Sequence, residues 1–256
     1  MVKKILSILA WIVTAAALVA LFVVGRKHYL ERPVKAINVS IDRATDSGFV
    51  KKHQVLADIQ GIIGDAQIGT INMAAIGKAL KANPWIDSSS SYIDLDGVLN
   101  VNIKEYQPVL RVFGKNGVTA YISADNKVLP TNAGHTPYVL IANGNFDLDA
   151  DHLVHRLCDT VEADRNILSA IKILNAIDNN TFIRNCVGQL YCNGKNEFEL
   201  VVRSLDTRIL LGDTCNIDDK LRRLEIFMKQ KANGSEISTL KQIDLKYKNQ
   251  IVCTKR

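Results

Sequence analysis

The sequence predicts an α+β protein with a single N-terminal transmembrane helix, a β-α-α-β-β unit and a larger β-sheet domain with helices on one side. Residues 5–24 carry no charge, and twenty helical residues span roughly 30 Å, the thickness of a hydrocarbon core. Residues 36–106 combine period-two and period-3.6 apolar patterns in a fixed order. Residues 107–256 are mostly strand-like runs with helical stretches between them.

The apolar run predicts an uncleaved membrane anchor. It is longer than the roughly 7–15 residues of a signal-peptide core, and the residues that end it make a poor cleavage site. We therefore expect a transmembrane helix over residues 5–25 after a cytoplasmic tail of residues 1–4, with a cleaved signal peptide as the alternative. Basic residues flank both sides, and long domains cross largely regardless of charge, so the charges leave the orientation open.

Most of the net charge of +6 lies beside this run. Residues 1–35 contain six Lys or Arg and one Glu, whereas residues 36–256 contain 26 basic and 25 acidic residues. The folded part therefore lacks the basic footprint of a nucleic-acid-binding protein. An aromatic content of 6% also argues against a platform that stacks single-stranded bases.

Residues 36–106 predict strand, helix, helix, strand and strand. The predicted strands are 36–42, 86–95 and 98–105, and the predicted helices are 50–64 and 72–83. Asp96-Gly97 marks the turn between the last two strands, and Pro84 ends the second helix because the residue before a proline is driven out of the α region. Trp85 is expected in the core of this unit.

Residues 107–256 predict a sheet with helices. Strand-like runs lie at 109–129 (several short strands), 182–192, 198–204, 207–211, 243–247 and 251–253. Helical patterns cover residues 151–178, with a break near Asp164, and residues 218–231.

The sequence contains no motif of a known catalytic type, so we expect no catalytic residue, metal or cofactor. One cluster combines potential ligands: Asp151, His152, His155, Cys158 and Asp159. His152 and His155 are three residues apart and could reach one metal ion, but the pattern favours a helix with a mixed polar face. A membrane-anchored extracytoplasmic enzyme or metal-binding protein that uses these histidines is the alternative function.

Five cysteines follow the apolar run, and their odd number excludes complete pairing within one chain. They are Cys158, Cys186, Cys192, Cys215 and Cys253. Buried free thiols are the favoured interpretation, and a pair such as Cys186 with Cys192 is the alternative.

Several short strings occur in a recognisable order. They are Asn83-Pro84-Trp85-Ile86, Glu105-Tyr106-Gln107-Pro108, the run 121–130, Ile209-Leu210-Leu211-Gly212, Lys220-Leu221-Arg222-Arg223-Leu224 and Ile243-Asp244-Leu245-Lys246-Tyr247. Together they resemble the bacterial cell-division family FtsQ/DivIB over nearly the whole chain. Lys127 departs from that pattern, because it stands where the family usually has glycine.

The resemblance implies a non-enzymatic scaffold of the divisome. It implies a POTRA domain over residues 36–106 that serves recruitment, and a β domain over residues 107–256 that binds the FtsB/DivIC–FtsL pair of small coiled-coil proteins. Such a protein is a single-pass type II protein of the inner membrane, extracytoplasmic beyond its helix and enriched at the septum, where it helps to position and regulate septal peptidoglycan synthesis. An outer-membrane assembly factor, which also uses POTRA units, would need a long β-barrel, and residues 107–256 are too few and too helical.

The resemblance places partner binding at the terminal strand, which is also the natural edge of a sheet. The expected contact residues are Ile243, Leu245, Lys246, Tyr247, Asn249 and Ile251. Tyrosine is a frequent interface anchor, so Tyr247 is the favoured one; the alternative is a strand aromatic that packs on its own domain.

Overall fold

The computed structural model describes residues 2–43, 48–151, 153–158, 160–203, 207–231 and 237–256. The chain forms two compact units, residues 1–105 and residues 106–256. The protein is α+β, as the sequence predicts, and it begins with one long apolar helix.

The first helix, α1, spans Val2–Leu30. Its segment Leu9–Leu30 has a mean hydropathy of 2.1 and its most apolar stretch contains no buried residue, so by length and composition it could cross a membrane. The helix continues past the apolar run because residues 25–30 contain no strong helix breaker. It ends shortly before Pro33, which disfavours the α conformation at the residue before it.

The rest of the first unit contains three strands and two helices in the predicted order. Their bounds are β1 Ala36–Asp42, α2 Lys52–Ile63, a short 3₁₀ turn Ile68–Thr70, α3 Met73–Ala82, β2 Ile86–Ile93 and β3 Val98–Glu105. The sheet order is β1-β3-β2, with β1 parallel and β2 antiparallel to the central β3.

The core of this unit lies between the sheet and its two helices. Alternate residues of β3 point inward, and Leu99 and Val101 are fully buried. The amide of Asn72 accepts a hydrogen bond from Ala75 N and caps α3, so the polar residue before the apolar face fixes where the helix begins. Trp85 is 3% exposed and its ring stacks on Phe49, which confirms it as a core residue.

The second unit is built on one nine-stranded mixed sheet. Its elements are β4 Pro108–Phe113, β5 Thr119–Ser123, β6 Val128–Pro130, β7 Leu140–Gly144, α4 Glu162–Asp178, α5 Thr181–Cys186, β8 Val187–Cys192, β9 Phe198–Val202, β10 Arg208–Gly212, α6 Ile217–Lys231, β11 Leu240–Asp244 and β12 Val252–Lys255. A second 3₁₀ turn covers Ile237–Thr239. The strand order is β12-β11-β10-β9-β8-β7-β4-β5-β6.

Helices cover one side of this sheet. Leu190, Leu200 and Ile209 of the central strands are fully buried in one cluster with the apolar faces of α4, α5 and α6. The next residue along a strand faces the opposite side of the sheet. Tyr191, which follows Leu190, is 38% exposed, and Val201, which follows Leu200, is 41% exposed. The predicted arrangement of helices on one side of the sheet is therefore confirmed.

Two predicted elements of this unit are only partly correct. The predicted strand 182–192 is a short helix, α5, followed by β8, because Asn180 caps a helical turn by accepting a hydrogen bond from Ile183 N. The predicted helix 151–178 begins only at Glu162. Asp164 lies in its first turn and is buried, where its carboxylate accepts a hydrogen bond from Cys158 N.

Candidate partner-binding edge

The last two strands lie at one end of the large sheet. β11 is parallel to β10 on one side, where Ile243 lies opposite Ile209, and antiparallel to β12 on the other, where Ile243 lies opposite Cys253. β12 is therefore the edge strand and β11 is an inner strand. The sequence predicts partner binding along both terminal runs, 243–247 and 251–253, whereas only the second lies on the edge strand. The first lies on the inner strand β11 and in the turn after it.

Polar side chains and one special backbone conformation cause that turn. Asp244 accepts a hydrogen bond from Lys246 N at 2.9 Å, and Asn249 adopts a φ of 59°. Such a left-handed conformation is tolerated by Asn far better than by β-branched residues. The chain therefore leaves β11 and reverses its direction before β12 starts.

The expected contact residues divide between the core and the surface. Ile243 and Leu245 are fully buried, and Leu245 N donates a hydrogen bond to Leu210 O, which extends the pairing with β10. Ile251 is partly buried against the same core. Of these six expected contact residues, the three with exposed side chains lie in the turn: Lys246, Tyr247, which is 50% exposed, and Asn249.

One arginine of α6 holds the turn in place. The side chain of Arg223 is only 16% exposed, and its guanidinium donates hydrogen bonds to the carbonyls of Tyr247, at 2.9 Å, and Gln250, at 2.7 Å. It also lies 3.4 Å from the carbonyl of Leu245. Asp219 accepts from its Nε at 2.9 Å, so the guanidinium is fixed from both ends. Sequence reasoning missed this role, because nothing in the local pattern links residue 223 to residues 245–250.

The outer side of β12 is accessible along its whole length. All four side chains of the strand are exposed, and no strand in the described part of the chain pairs with its outer side. Arg256 N donates inward to Thr239 O. Because backbone groups alternate along a strand, those of Val252 and Thr254 also point inward, and those of Cys253 and Lys255 point outward.

The charges around this edge are mainly positive. Its exposed basic residues are Lys241, Lys246, Lys248, Lys255 and Arg256. The ammonium group of Lys246 lies 3.5 Å from Glu197, whose side chain is 39% exposed. Desolvation raises the pKa of the Cys253 thiol, and the nearby Lys231 only partly opposes that rise, so this thiol adds no negative charge at neutral pH. A basic edge of this kind favours an acidic partner segment.

The opposite end of the sheet is partly covered by the protein's own chain. Residues 155–157 lie beside the start of β6, where Val128 N donates to His155 O and Leu157 N donates to Asn126 O, both at 2.8 Å. This segment therefore occupies the part of the edge around residues 126–128.

The predicted ligand cluster is only partly within the described residues, since His152 and Asp159 lie outside them. His155 Nε2 lies 3.1 Å from the buried carboxylate of Asp164. Among the described residues, no three histidine, cysteine or acidic side chains are grouped so that they could hold a metal ion.

The cysteines differ from the expectation of buried thiols. No disulfide joins the five, all of which lie in the described residues. Cys192 is buried, and desolvation raises the pKa of its thiol to about 11. Cys158, Cys215 and Cys253 are exposed.

A comparison with protein families identifies the second unit. The family model described as "FtsQ/DivIB, C-terminal related" matches residues 107–254, which is more than half of the chain and includes β11 and all of β12 except its last residue. A search of curated proteins found no match. Members of this family are non-enzymatic division proteins that interact with other divisome proteins, and the long apolar helix fits a membrane-anchored member. The chain belongs to the FtsQ/DivIB, C-terminal related family and is a cell-division protein.

Proposed function

We propose that this chain is a non-enzymatic divisome scaffold that binds an FtsB/DivIC-like and an FtsL-like protein through its β12 edge. The single observation that carries the proposal is the accessible outer side of β12, at the end of the segment that the family model matches. A partner strand added there would gain backbone hydrogen bonds from Cys253 and Lys255 without displacing any part of the sheet.

The turn before β12 supplies the side chains that would give this binding its specificity. Tyr247 offers an apolar ring with a polar tip on a turn that Arg223 holds in place. A fixed aromatic residue loses little conformational freedom when a partner covers it, and so it suits an interface anchor. Lys246 and Asn249 lie on the same turn and would contact polar groups of the partner, whereas Ile243, Leu245 and Ile251 support the edge from the core.

We further propose that the chain is a single-pass type II protein of the inner membrane, with both folded units outside the cytoplasm and enriched at the septum. The length and hydropathy of α1 support a membrane span. A reporter that is active only outside the cytoplasm, fused after Arg256, tests the orientation. An expressed but inactive fusion would contradict it.

Residues 36–106 would act as a POTRA domain that recruits the protein to its assembly. Their strand and helix order supports this assignment. The domain exchange that tests it replaces residues 36–106 with an unrelated domain of similar size. Loss of septal localisation is expected, and unchanged localisation would refute the recruiting role. Through both contacts the protein would help to position and regulate septal peptidoglycan synthesis.

The decisive experiment is co-purification of the full-length chain, in detergent, with the FtsB/DivIC-like and FtsL-like proteins of the same organism. A stable complex is expected. Failure of the wild-type chain to retain either partner, at micromolar concentrations of all three proteins, would contradict the proposal.

A further inference from the structure

A cleft lies where α1 leaves its apolar run. It has a volume of about 460 Å³ and is lined by α1 on one side and by the 3₁₀ turn of the first unit on the other. Its lining includes Phe22, Val23, Arg26, Lys27, Gly69 and Thr70. A cleft of this volume is in the range that binds small ligands.

Specific contacts hold the end of α1 against the strands and turns of the same unit, so the cleft has defined walls. Tyr29 Oη donates a hydrogen bond to Asp94 O at 2.7 Å, and Ile68 N donates to Arg32 O at 2.9 Å. Gly69 allows the close approach, because a Cβ atom at this position would lie 3.0 Å from the Cβ of Leu30. A side chain at residue 69 would therefore push the turn away from the helix.

The cleft has an apolar half and a basic half. Phe22 and Val23 belong to the uncharged run and are 72% and 58% exposed. Arg26 and Lys27 follow them by about one helical turn, which is roughly 6 Å along the axis. If α1 spans a bilayer, the apolar half therefore lies among acyl chains and the basic half lies at the level of the lipid headgroups.

The charge of the basic half fits a ligand with one negative charge. The guanidinium of Arg26 makes no hydrogen bond or ion pair with any residue in the described part of the chain. Lys27 lies 4.0 Å from Glu31, which also lines the cleft, and both side chains of this pair are mostly exposed. Two cations and one carboxylate leave a net charge of +1, which one phosphodiester would neutralise.

We propose that this cleft binds one anionic phospholipid, whose phosphate contacts Arg26 and Lys27 and whose acyl chain lies along Phe22 and Val23. The apolar half distinguishes a lipid from free phosphate, because inorganic phosphate would leave that half unoccupied. The inference depends on α1 spanning a bilayer but not on the partner-binding proposal or on the direction of the span. A bound lipid would fix the first unit at a constant height above the bilayer.

The test uses the full-length chain in detergent and measures retained lipid by native mass spectrometry. The probes are phosphatidylglycerol and phosphatidylcholine with identical acyl chains, with inorganic phosphate as a competitor. We expect one phosphatidylglycerol molecule per chain, a clear preference over phosphatidylcholine, and no displacement by millimolar phosphate. Equal retention of the two lipids, or displacement by phosphate alone, would overturn the proposal.

Two variants with the same change in charge distinguish a specific lipid site from general attraction between a basic protein and anionic lipids. The double substitution of Arg26→Gln with Lys27→Gln should lower the preference for phosphatidylglycerol about tenfold. The control, Arg32→Gln with Lys35→Gln, removes two exposed charges that do not line this cleft and should leave the preference unchanged. An equal loss in both variants would indicate general electrostatics and would overturn the site.

A third variant keeps the charge and fills the space. Thr70 is exposed on the rim, so Thr70→Phe should preserve folding and block the acyl chain. Thermal melting of each variant checks the fold. Reduced lipid retention by Thr70→Phe with a wild-type melting temperature supports the cleft, and full retention contradicts it even if the charge variants unfold.

Discussion

The two edges of the nine-stranded sheet are treated differently by the same chain. At β6, residues 155–157 donate and accept backbone hydrogen bonds and so cover part of the edge. At β12, the outer backbone groups face solvent beside exposed lysines. Covering an edge with the protein's own chain prevents aggregation, whereas lysines on an open edge discourage unselected pairing but still admit a chosen partner. The difference indicates which edge is available for binding.

Each edge is stabilised by one buried side chain that binds loop backbone. At the covered edge, Asp164 accepts a hydrogen bond from Cys158 N. At the open edge, Arg223 donates to the carbonyls of Tyr247 and Gln250. Both side chains bind backbone groups, but Asp164 holds a segment over the β6 edge, whereas Arg223 holds a turn beside the β12 edge. Substitutions at the two ends should therefore affect different properties.

The largest effect on partner binding is expected from Lys255→Pro. It removes an outward-pointing N–H of β12 and places a ring where a partner strand would lie, while the inward pairing with β11 stays intact. Most of the hydrogen bonds of an added strand should therefore be lost, so that affinity falls about a hundredfold at an unchanged melting temperature. Thr254→Pro is the contrasting variant, because it removes an inward N–H and should lower the melting temperature as well. Isothermal titration and thermal melting of both variants give the answer. Normal affinity with Lys255→Pro would exclude strand addition at β12.

The second effect concerns the aromatic side chain of the turn. Tyr247→Ala should weaken partner binding by about 2 kcal/mol, roughly thirtyfold, because an anchor residue is lost. Its stability should change little, since half of the side chain is exposed in the free protein. Tyr138→Ala is a suitable control, because Tyr138 is 85% exposed and lies far from the terminal strands in sequence. If both variants bind equally well, Tyr247 is an ordinary surface residue.

The third effect is indirect and acts through the support of the turn. Arg223→Gln should lower the free energy of unfolding by about 1 kcal/mol, because the turn carbonyls lose a charged donor but remain exposed enough to bind water instead. Partner binding should fall about tenfold, with a slower association rate, because the turn must be ordered again on binding. The neighbouring Arg222→Gln provides the control, since the side chain of Arg222 is 71% exposed. Identical kinetics for both variants would show that Arg223 does not organise the edge.

The fourth effect should be confined to stability at the opposite end. Asp164→Asn replaces a buried carboxylate that accepts from Cys158 N and should lower the free energy of unfolding by about 1 kcal/mol. Partner affinity should remain that of the wild type, because β6 and β12 lie at opposite ends of the sheet. Chemical denaturation together with the binding assay tests both statements. A loss of partner affinity in Asp164→Asn would contradict the proposal that only the β12 edge takes part in binding.

The smallest effect is a dependence on pH near the open edge. Hydrogen bonds from Arg222 and Arg223 lower the pKa of Asp219 below its ordinary value of 3.8, although desolvation opposes them. A depressed pKa stabilises the fold above pH 3.8, and this stabilisation is lost as the pH falls through the pKa of the folded state. Wild-type protein should therefore lose slightly more stability between about pH 5 and about pH 3 than Asp219→Asn does. Parallel pH–melting curves would contradict this.

Elements with strong periodicity were predictable from the sequence. The predicted strands 36–42 and 98–105 coincide with β1 and β3, and the predicted helix 218–231 starts one residue after the true start of α6. Alternation and a single apolar face are local properties, so they can be read without a partner element. β7 was missed because its five residues are short and do not alternate, and its pairing with β4 and β8 is parallel and distant in sequence.

The site was only partly predictable, for a related physical reason. The terminal location and the exposed tyrosine follow from the sequence pattern. The division into an inner β11 and an outer β12 depends on pairing between strands, and the role of Arg223 depends on the packing of α6 against the turn. The polar run 246–250 between two apolar segments was the one local signal of a turn.

The shortness of β12 has a consequence for the lifetime of any complex at this edge. Only Cys253 and Lys255 point their backbone groups outward, so an added strand gains at most about four hydrogen bonds, each worth about 1 kcal/mol net. Backbone pairing alone would therefore give a dissociation constant of about 1 mM, so a complex that is stable at micromolar concentrations also needs the side chains of the turn. A partner confined to the same membrane meets the edge at a high effective concentration, which compensates for this weakness. Such contacts can form, dissolve and form again within one round of septum assembly.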